Sequence, residues 1–420
     1  MDETPVDGKW QMTSGHRRLL DARTVLSAPL NSSVRALNTR RVLRAVMVLP
    51  ATQVQLARRT GLSQATVSGV IGRLQQEGVV EVDESDGERG KRVRVAPMRG
   101  AAVGVEVGDD RLVVALRRVD GDRVLQSGSG LGAGRGRRAW VDELVRLIGD
   151  LLEDVGMVPA DLVSIGLGVP AAVDPRLGRV AHSVTLTKED LLGCSGAWLE
   201  AHYPGVPVVV DNESNFAAYG EYTYGVGRDA EALLFVNAST GVGAGLVLGG
   251  AVFRGRHGFA GEIGHLTMDP NGALCRCGNR GCLETLVGGL SLLEAVRHAY
   301  RGYRVDLPVT LGGLVERARA HDPVCVRVLQ DAGRHIGLAL ARVCNILNPD
   351  VVVLGGELGR AGELVREHVV GELERNVLAG MLQQDQPLTV RMSELDLLAG
   401  PRGALAFALS SEPSPQRPSF

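Results

Sequence analysis

The chain is short of several things, and each shortage narrows what it can be. No stretch of its 420 residues approaches the ~20 consecutive apolar residues of a membrane-spanning helix. The first thirty residues carry Asp2, Glu3, Asp7 and Asp21 and lack a continuous apolar core, so no secretory signal is expected and a cytoplasmic location is. Lysine is scarce, three against 43 arginines, which reads as a compositional bias of the genome. Acidic side chains are missing altogether between Arg23 and Gln76. Cysteines number six, yet three of them crowd into eight residues. A chain of this length is too long for one core and should divide into two or three domains.

The acid-free stretch is also where positive charge collects. Residues 31–99 hold twelve Arg or Lys against six acids, so this segment is +6 and the remainder −8 in a chain of net charge −2. A compact basic segment on an acidic body points to a polyanion partner for that segment alone. Its apolar pattern is helical. Leu37, Val42, Leu43, Val46 and Met47 form a stripe over Arg35–Leu49 that Pro50 ends. Thr52 and Gln55 have capping-box spacing for a second helix over Gln53–Thr60. Gly61-Leu62-Ser63 makes a turn, and Ser63 caps a third helix whose Val67, Val70, Ile71 and Leu74 recur at i, i+3, i+4, i+7. Gly78 stops it. Val79–Val82 and Arg92–Val95 then read as two strands about a wing, Asp83–Lys91.

The pattern predicts a winged helix-turn-helix domain over 34–97. Short polar side chains at the start of a recognition helix suit base edges and phosphates in a major groove. Arginines on a ribbon suit phosphates or a minor groove. Candidate DNA contacts are Arg59, Ser63, Gln64, Thr66, Ser68 and Arg73, with Arg89, Lys91 and Arg92 on the wing. A small helical dimerisation module is the plainer alternative, and the acid-free surface opposes it. Residues 1–33 and 411–420 are expected to be disordered tails. In the first of these, Arg17 and Arg18 could add DNA contacts.

The cysteine cluster is the strongest chemical signal. His265, Cys275, Cys277 and Cys282 have the spacing His-x9-Cys-x-Cys-x4-Cys, four soft or borderline donors, enough for a closed tetrahedral zinc site. Clustered thiols without a secretory signal more often mean metal than disulfide. Three buried thiols and an unrelated histidine are the alternative. With all four positions filled, the zinc would be structural, not catalytic. Cys194, Cys325 and Cys344 read as small core residues.

Beyond Pro97 the composition changes to strands and glycine-rich turns. A hairpin is expected from Ala102–Val107 and Leu112–Val119, a helix near Val141–Val155, and strands at Leu162–Gly168 and Val206–Val210. Asp211-Asn212-Glu213-Ser214-Asn215 should open a helix. Leu233–Asn237 leads into a loop, Thr240–Gly245, before a strand at Leu246–Leu248. Val351–Leu354 precedes Gly355-Gly356, a turn that exposes backbone to a ligand. Together with the cysteine motif, these elements resemble the ROK family of repressors, open reading frames and sugar kinases, over about residues 101–410. With the winged domain in front, the chain looks like that family's transcriptional regulators.

The resemblance implies an α/β fold, an actin-like, hexokinase-like two-lobed domain with sugar in the cleft between lobes. It places zinc on His265, Cys275, Cys277 and Cys282. It also places Asn212, Glu213, Glu262, His265 and Glu284 on sugar hydroxyls. His265 would then join the zinc site to the sugar site.

Two departures from the kinases stand out. The family's first phosphate loop typically reads Asp-x-Gly-Gly-Thr, whereas this chain has Glu106-Val107-Gly108-Asp109-Asp110, which sets carboxylates against a polyphosphate. The catalytic Asp after the asparagine is here Glu213, a degenerate general-base position. Ser183-Val184-Thr185 stands where a Ser-Pro-Asn sugar contact is common. The expectation is therefore a regulator of operator DNA answering to a sugar or sugar derivative, a homodimer or homotetramer without phosphoryl transfer. An ATP-dependent sugar kinase with an accessory DNA-binding domain is the competing reading, and a cleft that binds nothing is the bland one.

Overall fold

The computed structural model describes residues 19–27, 33–83, 91–108, 111–132, 137–182 and 196–411. Arg17, Arg18, Arg89, Asp109, Asp110, Ser183–Thr185 and Cys194, which figure in the expectations above, lie outside the described residues. Among the described residues no helix is long and apolar enough to cross a membrane.

A short strand β1 (Leu20–Asp21) and helix α1 (Ala22–Ser27) come first, followed by α2 (Val34–Val48), β2 (Ala51–Thr52), α3 (Gln53–Thr60), α4 (Gln64–Gln76), β3 (Val80–Asp83) and β4 (Arg92–Val95). Both expected caps, Thr52 and Ser63, are made, and Ser33 adds one that was not expected. Ser33, Thr52 and Ser63 accept from backbone N–H groups three residues on, and Thr52 with Gln55 closes a full capping box. Val67, Val70, Ile71 and Leu74 are buried, so α4 turns its polar face outward. β3 and β4 form the antiparallel wing, and β2 adds a third strand beside β4 that the sequence pattern did not suggest. This is a winged helix-turn-helix.

Part of the expected N-terminal tail is folded. β1 pairs in parallel with β5 (Met98–Arg99), Ala22 is fully buried, and Arg23 donates to the carbonyls of Ala160 and Gly205. The tail expectation failed here because the anchoring contacts are long-range and leave no local pattern.

The body holds two five-stranded sheets. The first comprises β6 (Ala101–Val107), β7 (Leu112–Arg118), β8 (Val124–Ser129), β9 (Leu162–Val169) and a later strand, with α5 (Arg137–Asp154) on one face. A small hairpin, β10 (Ala172–Asp174) and β11 (Arg179–His182), and helix α6 (Ala197–His202) precede that strand, β12 (Val208–Asn212). It runs two residues past the expected end, carrying Asp211 and Asn212 to the sheet's edge. Helix α7 (Glu213–Thr223) follows directly, with Asn212 as its N-cap.

The second sheet contains β13 (Ala232–Ala238), β14 (Val242–Leu248), β15 (Ala251–Val252) and two later strands. Of the expected loop Thr240–Gly245, only Thr240 and Gly241 lie in the hairpin turn, and Val242–Gly245 belong to β14. Gly243 and Gly245 lie inside β14, where a Cβ on Gly245 would sit 2.1 Å from the Ser214 carbonyl oxygen. Glycine there lets α7 lie directly on the sheet. Next come α8 (Glu284–Val287), α9 (Gly289–Ala299), α10 (Leu311–Arg319) and the long α11 (Pro323–Leu347). The chain finishes with β16 (Val351–Gly355), α12 (Gly356–Gly359), α13 (Glu363–Asn376), β17 (Thr389–Met392) and α14 (Ala399–Ser410). The result is the two-lobed actin-like arrangement that the resemblance implied.

The winged domain does not hang free. One core joins Val42, Val46, Met47 and Val80 of the head to Ala102, Val119 and Val163 of the first lobe and Leu405 and Leu409 of α14. Two buried arginines stitch the seam. Arg117 on β7 donates to the carbonyls of Met47 and Val48, the last turn of α2. Arg44 on α2 donates to the carbonyls of Leu409 and Ser411 at the end of α14. Each arginine thus satisfies carbonyls that a helix C-terminus leaves unpaired, and each helix is capped from the other domain.

Candidate functional site

Between the lobes lies a cavity of about 790 Å³, and Asn212, Glu213, Glu262, His265 and Glu284 all line it. Local geometry explains how five residues from distant segments meet. Asn212 ends β12 and starts α7. Its Oδ1 accepts from the Ser214 N–H at 2.8 Å, and its Nδ2 donates to the Ala171 carbonyl at 3.2 Å. Glu213, in the first turn of α7, receives the Asn237 amide N–H at 3.3 Å. Glu284 opens α8 and accepts from the Val242 N–H at 3.2 Å. Both carboxylates are thus oriented by donors from the second sheet, Asn237 of β13 and Val242 of β14.

Several cleft residues had no signature in the sequence. Arg111, just past the described end of the first hairpin turn, donates to Glu106 at 2.8 Å and reaches Glu357 of the other lobe at 3.6 Å. Glu357 also holds Arg360 at 3.3 Å. Burial pushes the Glu106 carboxyl up, and Arg111 opposes that. A second tie joins the lobes deeper in, where buried Asp211 receives Arg254 at 2.6 Å and the Asn215 amide at 2.9 Å. Ion pairs between residues about 40 to 250 positions apart follow no spacing rule, so only the fold reveals them.

The metal candidates converge. The donor atoms of His265, Cys275, Cys277 and Cys282 all lie within 4.8 Å of one another, and the group can hold a metal ion. His265 Nδ1 is 3.6 Å from Cys275 Sγ, and Cys277 Sγ is 3.6 Å from Cys282 Sγ. Round a tetrahedral ion with ~2.3 Å metal–sulfur bonds the donors stand roughly 3.8 Å apart, so the cluster fits one. Gly278 and Gly281, at φ +93° and +59°, supply the left-handed turns that fold the strand of cysteines back. The other ring nitrogen of His265, Nε2, points toward Glu262 at 3.8 Å, on the cleft side. Arg276, between two of the cysteines, reaches Glu284 at 3.5 Å. The four-donor cluster and the cleft thus share His265 and are tied through Arg276.

On the head, Ser63, Gln64 and Ser68 are exposed along α4, and Thr66 and Arg73 are partly so. The hydroxyls of Ser63 and Thr66 pair at 2.9 Å, which fixes the helix start. Lys91 is exposed and Arg92 partly buried beside the wing. Arg59 is exposed as well, donates to the Leu49 carbonyl at 3.1 Å, and stands near both Arg92 of the wing and Tyr219, Tyr222 and Tyr224 of the body.

One element spans both regions. α7 starts at Asn212 and Glu213 in the cleft and ends at Tyr224, whose hydroxyl donates to the Val48 carbonyl of the head at 3.1 Å. It lies against α14 so closely that a Cβ on Gly403 would meet the Phe216 carbonyl oxygen at 1.7 Å.

Comparison with known proteins agrees with this architecture. The ROK family model matches residues 102–411, and the MarR family model matches residues 37–90. The xylose repressor of Bacillus subtilis (strain 168) is 27% identical over 349 residues, covering 82% of this chain and 88% of that protein. The DNA-binding transcriptional dual regulator NagC of Escherichia coli (strain K12) is 27% identical over 372 residues, covering 86% and 90%. Among solved structures, a ROK family transcriptional regulator described as a homologue of E. coli MLC covers 89% of this chain and 97% of its own at a TM-score of 0.70, and at 22% identity it shows the fold. A ROK family glucokinase from Streptomyces griseus, solved with glucose and AMPPNP, covers 74% and 100% at a TM-score of 0.64 and 26% identity. With its two-lobed body matched from end to end and a MarR-type winged helix in front, the chain belongs to the ROK family.

Proposed function

We propose that the chain is a sugar-responsive DNA-binding transcriptional regulator, a repressor, whose cleft takes a sugar or sugar derivative and transfers no phosphoryl group. α4 and the wing contact operator DNA through Ser63, Gln64, Thr66, Ser68, Arg73, Lys91 and Arg92. Asn212, Glu213, Glu262, His265 and Glu284 bind sugar hydroxyls, and His265, Cys275, Cys277 and Cys282 hold a structural zinc. The working form is a homodimer or homotetramer, since a head on each copy reads one half-site.

The observation that carries the reading is α7. A ligand that moves Asn212 and Glu213 moves a helix whose far end is hydrogen-bonded to the head. Its tight packing on α14 transmits the same shift to the carbonyls that Arg44 caps. Coupling of this kind typically amounts to about 1–3 kcal/mol, roughly 5–150-fold in affinity. The xylose repressor named above and the N-acetylglucosamine repressor of Escherichia coli O6:H1, 27% identical to this chain over 372 residues, suggest by their names the sugars to try.

Against phosphoryl transfer stand Glu213, engaged by Asn237, and Glu106, engaged by Arg111 where the kinases cradle phosphate. The test is to select operator DNA from a random library, then titrate it with and without D-xylose, D-glucose and N-acetyl-D-glucosamine. A change in DNA affinity with one of them is the expected result. DNA binding indifferent to every sugar, or ADP release dependent on sugar, would overturn the reading.

A further inference from the structure

The charges that line the cleft say what kind of sugar it takes. Five carboxylates face the cavity, those of Glu106, Glu213, Glu262, Glu284 and Glu357, against the guanidiniums of Arg111 and Arg360. Neither arginine is uncommitted. Arg111 lies between Glu106 at 2.8 Å and Glu357 at 3.6 Å, and Arg360 is 3.3 Å from Glu357. A phosphate entering this space must break existing ion pairs to find a cation, and then sit among carboxylates. A hydroxyl needs neither. It donates to a carboxylate and accepts from an amide or imidazole, and Asn237 and Asn279 in the wall add amide donors and acceptors.

The apolar part of the wall points the same way. Phe259, Leu290 and Val309 line the mouth, 46%, 57% and 85% exposed. An aromatic ring and two aliphatic side chains suit the C–H faces of a sugar ring and have nothing to offer a charged ester.

We propose that the effector is a non-anionic sugar, unphosphorylated and carrying no carboxylate, and that the Glu106–Arg111–Glu357–Arg360 network rejects phosphate esters. The inference rests on the cleft being a sugar site. The experiment is calorimetric titration of the full-length, zinc-loaded protein with D-glucose, N-acetyl-D-glucosamine and D-xylose, and with glucose 6-phosphate and N-acetylglucosamine 6-phosphate.

A neutral sugar should bind at least roughly tenfold more tightly than its own 6-phosphate, the size of effect that like-charge rejection produces. In E357Q, which removes the weaker of Arg111's two partners and the Glu357 partner of Arg360, the gap should narrow. E106Q provides the same test from the other lobe should E357Q not fold. A phosphate ester that binds as tightly as its parent sugar overturns this inference and leaves the sugar reading intact. So does a gap unaltered in both variants, because the network would then not be its cause. No binding by any of the five overturns the sugar reading itself, and this inference with it.

Discussion

The two lobes are built on one plan and used differently. In the first sheet, β6, β7 and β8 form an antiparallel meander, β9 joins β6 in parallel, and β12 joins β9 in parallel. In the second, β13, β14 and β15 form the meander, β16 joins β13 in parallel, and β17 joins β16. The chain has laid down the same five-stranded topology twice. What differs is what each copy carries. The first lobe carries the head, through Arg117, Val119 and Val163, and the second carries the metal cluster. None of the second sheet's strands enters the core shared with the head. Their first hairpin turns also diverge, one ending in Arg111 and a cross-lobe ion pair, the other in Ser239, Thr240 and Gly241. A common scaffold thus presents the four-donor cluster on one side and the winged head on the other. The α7–α14 pair between them is the only direct bridge among the described helices that touches both the cleft and the seam.

The largest expected effect comes from the metal lobe. Cys282→Ser, or zinc removal by a chelator, should cost about 4–5 kcal/mol, since loss of a metal is among the few single changes that large. Thermal unfolding with metal analysis checks this, and roughly one zinc per chain is expected for a closed four-donor site. The number of transitions then tests the comparison. If α7 and α14 weld the lobes, both melt together at a lower temperature. Two transitions, with only one shifted, would mean that the lobes are energetically separate.

Next is the weld itself. Gly403→Ala puts a methyl where the Phe216 carbonyl oxygen already is, 1.7 Å from the ideal Cβ position. Both partners are helix backbone, so neither can swing aside, and the cost should reach the top of the overpacking range, about 3 kcal/mol. Urea denaturation measures it. A variant as stable as the wild type would mean that the two helices can part without consequence.

How much of this could be read from the sequence depends on the range of the interaction. The head was legible because caps and helical periodicity are local: Thr52 with Gln55, Ser63 with Thr66, and the Val67–Leu74 stripe behave as their spacing required. The metal cluster was legible because its ligands span only 18 residues and three are cysteine. The glycines of Thr240–Gly245 misled, because glycine serves loops and close packing alike, and only the position of α7 shows which. The seam and the cross-lobe ion pairs were illegible. Arg44, Arg111, Arg117 and Arg254 are four arginines among 43, and their partners lie between five and 367 residues away. Nothing in their neighbours distinguishes them from surface arginines.

The seam gives the third test. Arg117→Ala removes the side-chain donor of the Met47 carbonyl and leaves Tyr224 as the remaining side-chain donor to Val48, in a buried site, which should cost about 1–3 kcal/mol. The more telling readout is coupling. DNA affinity in the absence of sugar should change, and its response to sugar should shrink, while sugar affinity measured on the protein alone stays within about 0.5 kcal/mol, as expected for a distant independent site. If the sugar response survives both Arg117→Ala and Arg44→Ala, the head takes its signal by another route.

The smallest effects should come from the head's outer face, and they separate reading from sensing. Arg73 lies on α4 and Arg92 on the wing strand β4. Replacing either with Ala should leave stability within about 0.5 kcal/mol. A phosphate-contacting arginine contributes close to one counterion, so each substitution should reduce the slope of log affinity against log salt by about 1. For Arg73→Ala the sugar response, expressed as a ratio of affinities with and without ligand, should not move, because Arg73 sits on the outward side of α4, whereas Arg92 lies near Arg59 and the body tyrosines. A lowered slope with an intact ratio is what a reader mounted on a separate sensor requires. An altered ratio would mean that the outer face of the head takes part in sensing, and that the division between the lobes is less clean than their contacts suggest.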